Sequence, residues 1–215
     1  MTRVGLLHTV TVLPAVFDEL LQPSRSGLEI VHVADPTLLE RTVDAGEVTP
    51  DVEADIRRHL EALRDGGAAA VLVTCSSIGE AAESAARAAG VRLMRVDEAM
   101  AREAAARAAV AADRRITILA TLGTTLGPTA RLVERFTDPG VGVTARVVPD
   151  AGAARARGDH AEHDRLVAEA IAAEDAEVIV LAQASMAAGA GEDPRVLTSP
   201  RTGAASFLTA LRGER

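Results

Sequence analysis

The sequence predicts an α/β fold made of two halves, each with its own parallel sheet. Short apolar runs typical of buried strands alternate with longer helical stretches along the 215 residues, and this alternation favours parallel strands. One strand–turn unit also occurs twice, because Val71–Val73 runs into the turn 74–77 much as Val178–Leu181 runs into the turn 182–186. A repeat at this period indicates two similar halves rather than a solenoid. We place the first half at residues 1–97 and the second at 98–202.

The first half alternates apolar strand runs with helices that begin at proline. Pro14 and Pro50 occupy first-turn positions, and Thr49 is expected to cap the helix that begins at Pro50. The segment opened by Asp35-Pro36 is expected to be variable in structure. The predicted strands are 4–7, 28–33, 71–73 and 91–96, and the predicted helices are 13–21, 50–64 and 78–89.

The second half repeats the alternation. An alanine-rich helix is expected to cross from the first half, and Gly123 and Pro128 mark the start of the next helix. A loop or short helix is predicted at 151–158. The predicted strands are 116–120, 143–148, 178–181 and 195–197, and the predicted helices are 97–112, 125–136, 159–173 and 203–211.

Composition excludes several classes of function. All 23 basic residues are arginine, which rules out a lysine Schiff base to pyridoxal phosphate and a phosphate-loop lysine. A net charge of −8 with 1% aromatic residues argues against nucleic-acid binding. No apolar run is long enough for a membrane span, and the start of the sequence does not resemble a signal peptide. A single cysteine suits a reducing compartment, so we expect a cytoplasmic protein.

Cys75, the only cysteine, follows the strand 71–73 at a strand-to-helix turn. Ligands of open parallel sheets bind at the carboxyl ends of strands. A helix N-terminus at this point would favour the thiolate and would offer N–H groups to an anion. The competing interpretation is a buried structural cysteine.

Polar side chains gather at the equivalent turns of the other strands. An unperturbed histidine titrates near neutral pH, so His8 is open to a role in proton transfer, in carboxylate binding or in a purely structural hydrogen bond. The hydroxyl side chains either bind an anionic group or cap the helices that follow them. The residues concerned are His8, Thr9, Ser76, Ser77, Thr121, Thr124 and Thr125.

His160, Glu162 and His163 suggest a metal site, but their spacing lacks a third partner elsewhere in the sequence. We expect this stretch to be the solvated face of a helix. No metal site is predicted.

Four stretches together resemble the aspartate/glutamate racemase superfamily, which includes hydantoin racemases, arylmalonate decarboxylases and maleate cis-trans isomerases. They are HTVTVLP at 8–14, VTCSSIGE at 73–80, ATLGTTLGPT at 120–129 and VIVLAQASMA at 178–187. The resemblance implies two flavodoxin-like halves related by a pseudo-twofold axis, with the active site in the cleft between them. It also implies a C-terminal helix, 203–213, that packs back on the first half, and homo-oligomers are common in the family.

The resemblance further implies chemistry without a cofactor, carried out by two cysteines on a small carboxylate substrate. Cys75 matches the first of these cysteines. Gln183 occupies the second position, and an amide does not exchange a proton near neutral pH. Gln183, Ala184 and Ser185 are therefore expected to contact substrate rather than to move a proton.

Three functions remain open on this basis. The first is an isomerase of the racemase type, with Cys75 as acid/base or nucleophile at the α-carbon. The second is a decarboxylase of a substituted malonate, in which one acid protonates an enediolate from one side. The third is a binding protein that has kept the turns without the thiol pair.

Overall fold

The computed structural model describes residues 1–22 and 27–213. Its backbone contacts divide the chain into two compact units. The first contains Met1–Val96 together with the segment from Pro200 onward, and the second contains Asp97–Ser199. Each unit is described by itself.

The first unit contains a four-stranded parallel sheet in the described residues, with the strand order β2-β1-β3-β4. Leu7 of β1 pairs with Val33 of β2 on one side and with Val73 of β3 on the other. The strands are β1 (Thr2–His8), β2 (Leu28–Ala34), β3 (Val71–Val73) and β4 (Leu93–Arg95). The helices are α1 (Leu13–Leu21), α2 (Pro36–Ala45), α3 (Pro50–Asp65) and α4 (Gly79–Ala89).

The second unit repeats this arrangement with the order β6-β5-β7-β8, again all parallel. The strands are β5 (Arg115–Ala120), β6 (Gly142–Val147), β7 (Val178–Leu181) and β8 (Val196–Thr198). The helices are α5 (Glu98–Val110), α6 (Gly123–Glu134), α7 (Ala151–Ala156) and α8 (His160–Ala172), followed by a 3-10 segment (Ala184–Ala190) and by α9 (Ser199–Arg212), whose residues from Pro200 onward belong to the first unit. The two sheets and their flanking helices confirm the predicted α/β class with two parallel-sheet halves.

The segment that was expected to be variable after Asp35 is the regular helix α2. The Asp35 carboxylate accepts a hydrogen bond from the N–H of Thr37, and Pro36 occupies the first helical position. Gly46 ends the helix in the left-handed conformation, with φ +77°. These are the ordinary start and stop signals of a helix, so the sequence contains the signals that predict α2.

Several element boundaries differ from the predictions near the strand ends. Helix α4 begins at Gly79 rather than Ile78, and α6 begins at Gly123 rather than Thr125. The small-residue turn after β7 continues as the 3-10 segment. Thr49 stands at the cap position of α3, but its hydroxyl contacts the Asp51 carboxylate instead of capping the helix.

Each sheet has its own hydrophobic core. In the first unit, β1 and β3 pack on α3 and α4 through fully buried residues such as Leu7, Ile56 and Ile78. In the second unit, β5 and β7 pack on α5 and α6 on one face, around residues such as Met100 and Ile118. None of the helices in the described ranges is long and apolar enough to cross a membrane.

The C-terminal helix α9 contacts the end of β4 closely. Gly203 lies so near the Val96 backbone that an added Cβ would overlap the Val96 carbonyl oxygen and would lie 2.7 Å from Val96 Cγ2. Arg92 also donates a hydrogen bond to the carbonyl of Ala210 at 3.2 Å. Glycine is therefore required where the helix crosses this backbone.

We predict that Gly203→Ala lowers the free energy of unfolding by roughly 1–3 kcal/mol, because backbone atoms must shift to make room for the methyl group. Chemical denaturation checks this value. Gly213→Ala is the matched control in the turn after the same helix, because its Cβ would meet only Thr209 O at 3.8 Å. Equal stability of the two variants would contradict the close approach.

Candidate active site

The strand order indicates a candidate ligand site at the same point of each sheet. In the first sheet the chain moves from β1 outward to β2 and then returns to β3 on the other side of β1. The strand order therefore reverses between β1 and β3, and ligands bind outside the carboxyl ends of strands at such a reversal. The corresponding point in the second sheet lies between β5 and β7.

Cys75 and Gln183 occupy equivalent positions at these two points. Val73 of β3 pairs with Leu7, and Leu181 of β7 pairs with Leu119. The residue after each of these strands continues the ladder, because Thr74 N–H donates to Leu7 O at 3.0 Å and Ala182 N–H donates to Leu119 O at 2.9 Å. Cys75 and Gln183 follow immediately, so the same register delivers a thiol in one sheet and an amide in the other.

The turn that carries Cys75 is short and largely buried. Cys75 is partly exposed, whereas the neighbouring Ser76 and Ser77 are about 5% exposed. The cap position of α4 is Ile78, and the helix itself begins at Gly79. Cys75 therefore precedes the helix by a three-residue turn rather than standing at its first position.

A buried arginine supports the start of α4. Arg95, at the end of β4, is 2% exposed. Its guanidinium occupies the place of a Cβ on Gly79, where an added carbon would lie 2.6 Å from Arg95 Cζ. Arg95 Nη1 lies 3.7 Å from Glu83 Oε2 on α4. Sequence analysis missed this residue, although an arginine at the end of a buried strand beside the site was a visible signal.

His8 lies at the carboxyl end of β1 and is fully buried. Its Nδ1 lies 2.8 Å from Thr74 Oγ1, and its Nε2 lies 2.9 Å from Nδ1 of His32 on β2. Burial, and to a smaller extent the neighbouring His32, lowers the pKa of His8 to about 4. His8 is therefore neutral near pH 7. These contacts match the structural hydrogen bond among the three roles, and carboxylate binding by His8 stays a prediction.

In the second unit Gln183 is tied to the end of β5. Its Oε1 accepts the backbone N–H of Thr121 at 2.5 Å and the Thr121 hydroxyl at 3.0 Å. Because a backbone N–H needs an acceptor, these bonds fix the orientation of the amide and leave its NH₂ as the group available for a ligand. Gly152 of α7 packs closely against the Thr121 backbone, since a Cβ at this position would overlap the Thr121 carbonyl oxygen.

Several buried hydroxyls have no hydrogen-bond partner among the described residues, and two of them lie at the strand ends that carry the candidate sites. They are Thr9 Oγ1, just after β1, and Thr124 Oγ1, in the first turn of α6. Buried hydroxyls are nearly always bonded, so each is a candidate ligand contact. Thr125 lies buried in the same helical turn, and Ala184 and Ser185 begin the 3-10 segment half-buried.

The expectation of a solvated face on α8 is wrong for His163. This side chain is fully buried, and its Nδ1 contacts Asp164 Oδ1 at 2.8 Å, whereas His160 is exposed. His163 faces inward because α8 packs against the 3-10 segment, where Gly189 approaches Val167 and the Asp164 carbonyl. Within the described ranges, no three potential ligand side chains are grouped so that they could hold a metal ion.

The structure is that of an α/β protein with two parallel-sheet halves, each with a candidate site at its strand ends. Residues 8–200 match the family model described as Asp/Glu/hydantoin racemase. The chain therefore belongs to this family, which confirms the resemblance found in the sequence. No curated protein matches the chain by sequence.

Solved structures share the fold at low sequence identity. A glutamate racemase isoform from Bacillus anthracis is 17% identical with a TM-score of 0.69, over 99% of this chain and 82% of that one. The Picrophilus torridus aspartate racemase is 12% identical with a TM-score of 0.67, over 98% and 94%. Unliganded arylmalonate decarboxylase is 18% identical with a TM-score of 0.57, over 99% and 92%.

We predict that the low pKa of His8 makes the protein less stable in mild acid. Unfolded His8 takes up a proton below its ordinary pKa of 6.5, whereas the folded side chain does so only near 4. Stability from this group is therefore full above pH 6.5, falls between 6.5 and 4, and stays constant below; the loss is at most about 3 kcal/mol.

Urea unfolding of the wild type and His8→Asn at several pH values measures this loss. The variant is expected to lose less stability between pH 6.5 and pH 4 than the wild type. His160→Gln, at an exposed histidine, is the control and should follow the wild type. Parallel curves for the wild type and His8→Asn would contradict a buried neutral His8.

Proposed function

We propose that this chain is a racemase-type enzyme that moves a proton at the α-carbon of a small carboxylate without a cofactor. Cys75 is the acid/base group that takes the α-proton and returns it. The observation that carries the proposal is the pairing of β3 with β1, which delivers the only thiol of the chain to the reversal point of the first sheet.

Side chains with unused donors supply the binding groups. The Thr9 and Thr124 hydroxyls are buried without partners among the described residues, and the Gln183 NH₂ is left over once its oxygen is bonded to Thr121. Such donors suit a carboxylate, or the enediolate that forms when an α-proton leaves. These donors would hold an anion locally, although the net charge of −8 makes the chain as a whole repel anions. Ser76, Ser77, Thr125, Ala184 and Ser185 complete the proposed contacts.

The chemistry is one-sided in this proposal. Inversion at carbon needs a proton donor on the face opposite the base. Cys75 serves one face, and Gln183, at the equivalent position of the second unit, is an amide that does not exchange a proton near neutral pH. We therefore expect the natural chain to exchange the α-proton with solvent much faster than it inverts the carbon. The lone thiol also suits a reducing cytoplasm.

A decarboxylase is the second candidate, and the single thiol favours it. Loss of carbon dioxide from a substituted malonate leaves an enediolate, which needs only one acid on one face. The chain also shares its fold with arylmalonate decarboxylase, which supports testing this reaction. Release of carbon dioxide from a malonate, with no α-proton exchange on simple amino acids, would favour this candidate.

We predict that Gln183→Cys gains or increases inversion of a substrate that the natural chain only exchanges on one face. The new thiol would stand at the position that the sheet register makes equivalent to Cys75. Chiral chromatography beside deuterium incorporation measures both rates. Cys75→Ser should lose both activities, by roughly 10²-fold or more.

Gln183→Ala is the matched control, because it removes the amide without supplying a proton donor. It should weaken binding and leave inversion absent. If the natural chain already inverts its substrate at full rate and Gln183→Ala does so equally, the second base lies elsewhere and the one-sided mechanism is wrong.

A further inference from the structure

Arg155 of α7 is a half-buried arginine whose charge has no partner. Its guanidinium makes neither a hydrogen bond nor an ion pair within residues 1–22 and 27–213. The other buried or half-buried arginines of those ranges each contact a carboxylate or a carbonyl oxygen. They are Arg3, Arg41, Arg92, Arg95 and Arg195. The proposed chemistry does not use Arg155.

The chain after β6 brings α7 to the carboxyl end of β5. Val148, the residue that follows β6, donates its N–H to Ala120 O at 2.7 Å. Four residues later, Gly152 lies so close to Thr121 that an added Cβ would overlap the Thr121 carbonyl oxygen. Thr121 also holds Oε1 of Gln183 through its own N–H and hydroxyl. Helix α7 and the Gln183 amide therefore contact the same residue.

Arg155 lies on the face of α7 that contains Gly152. Residues three apart are neighbours on a helix surface, and helical side chains lean toward the turn that precedes them. Ala151 and Ala154 form the adjoining face and are fully buried. The Arg155 side chain therefore leans over the turn of Gly152, which is the turn that packs on Thr121.

Among the described residues, no acidic side chain pairs with Arg155. Asp150, at the cap position of α7, is exposed and makes no ion pair with it. Asp159, which follows the helix, accepts the N–H of Glu162 at 3.1 Å and so caps α8. A guanidinium stays charged near neutral pH and binds a carboxylate through two parallel hydrogen bonds. A bound carboxylate would supply the partner that the protein does not.

We propose that Arg155 binds a carboxylate group of the substrate beside the Gln183 amide. The identity of this ligand as substrate rests on the proposed function, whereas the anion site itself does not depend on turnover. The proposal also narrows the substrate class. A free acid satisfies a guanidinium, whereas a neutral amide or a neutral ring leaves its charge without a partner. The Gln183 NH₂ remains available for the oxygen that gains charge when the α-proton leaves.

The amide composition of the chain provides a direct measurement of binding. The chain has two glutamines, Gln22 and Gln183, and no asparagine, so its ¹H–¹⁵N spectrum contains two side-chain NH₂ signals. Gln183→Ala identifies the signal of Gln183. Malonate is the probe, and malonamide is its neutral counterpart of similar size. Malonate should shift the Gln183 signal of the wild type at lower concentration than malonamide does, and the titration gives Kd.

Arg155→Ala should weaken malonate binding by roughly tenfold or more and leave malonamide binding unchanged, because only the carboxylate pairs with the guanidinium. Arg157→Ala is the matched control. It removes the same charge from an exposed arginine at the end of the same helix, and it should bind malonate as the wild type does. Arg155→Lys keeps the charge without the two parallel bonds, so its affinity should lie between those of the wild type and Arg155→Ala.

Equal malonate affinity of the wild type and Arg155→Ala would overturn the proposal. An equal loss in Arg157→Ala, or a Gln183 signal that malonate does not shift in the wild type, would overturn it as well. A positive charge in the last turn also stabilises a helix. If Arg155→Ala lowers the free energy of unfolding and leaves malonate affinity unchanged, Arg155 stabilises α7 and does not bind the anion.

Turnover separates this proposal from the proposed function. If the chain exchanges an α-proton, Arg155→Ala should raise KM by a larger factor than it lowers kcat, because the carboxylate is bound before and during the reaction. Exchange with an unchanged KM would overturn the binding role of Arg155. A chain that binds malonate through Arg155 but exchanges no α-proton would support the anion site and would count against the proposed function alone.

Discussion

Both candidate sites depend on the backbone hydrogen bonds of one strand pair in each unit, β1 with β3 and β5 with β7. In the first sheet the ladder runs from Leu7–Val73 to the bond between Thr74 N–H and Leu7 O, and in the second from Leu119–Leu181 to the bond between Ala182 N–H and Leu119 O. The next residue in each case leaves the ladder at the reversal of strand order. A one-residue slip would turn that side chain to the other face of its sheet.

The same scaffold position therefore has different chemistry in the two units. In the first, a thiol follows Thr74, and a fully buried neutral imidazole contacts that threonine. In the second, an amide oxygen is held by Thr121. A thiol gives and takes protons near neutral pH, whereas an amide only donates and accepts hydrogen bonds. This difference between the two end groups is the physical basis of the proposed one-sided proton transfer.

Much of the fold was predictable because buried parallel strands appear in a sequence as short apolar runs. Val71–Val73 and Val178–Leu181 were placed to the residue, and those runs also placed Cys75 and Gln183 at strand ends. The contact between His8 and His32 was not predictable, because it depends on the register that sets Leu6 beside His32 and His8 beside Ala34. His163 was misjudged for a similar reason, since only the packing of α8 reveals which face is buried.

The central claim is that Cys75 moves an α-proton on one face only. Its most direct test is to incubate single enantiomers of small amino acids and hydantoins with the natural chain in deuterated buffer, and to follow the α-proton by NMR and the configuration by chiral chromatography. The account predicts that deuterium replaces the α-proton with retention of configuration, and that Cys75→Ser removes this exchange. Inversion that keeps pace with exchange, or exchange that survives in Cys75→Ser, would contradict it.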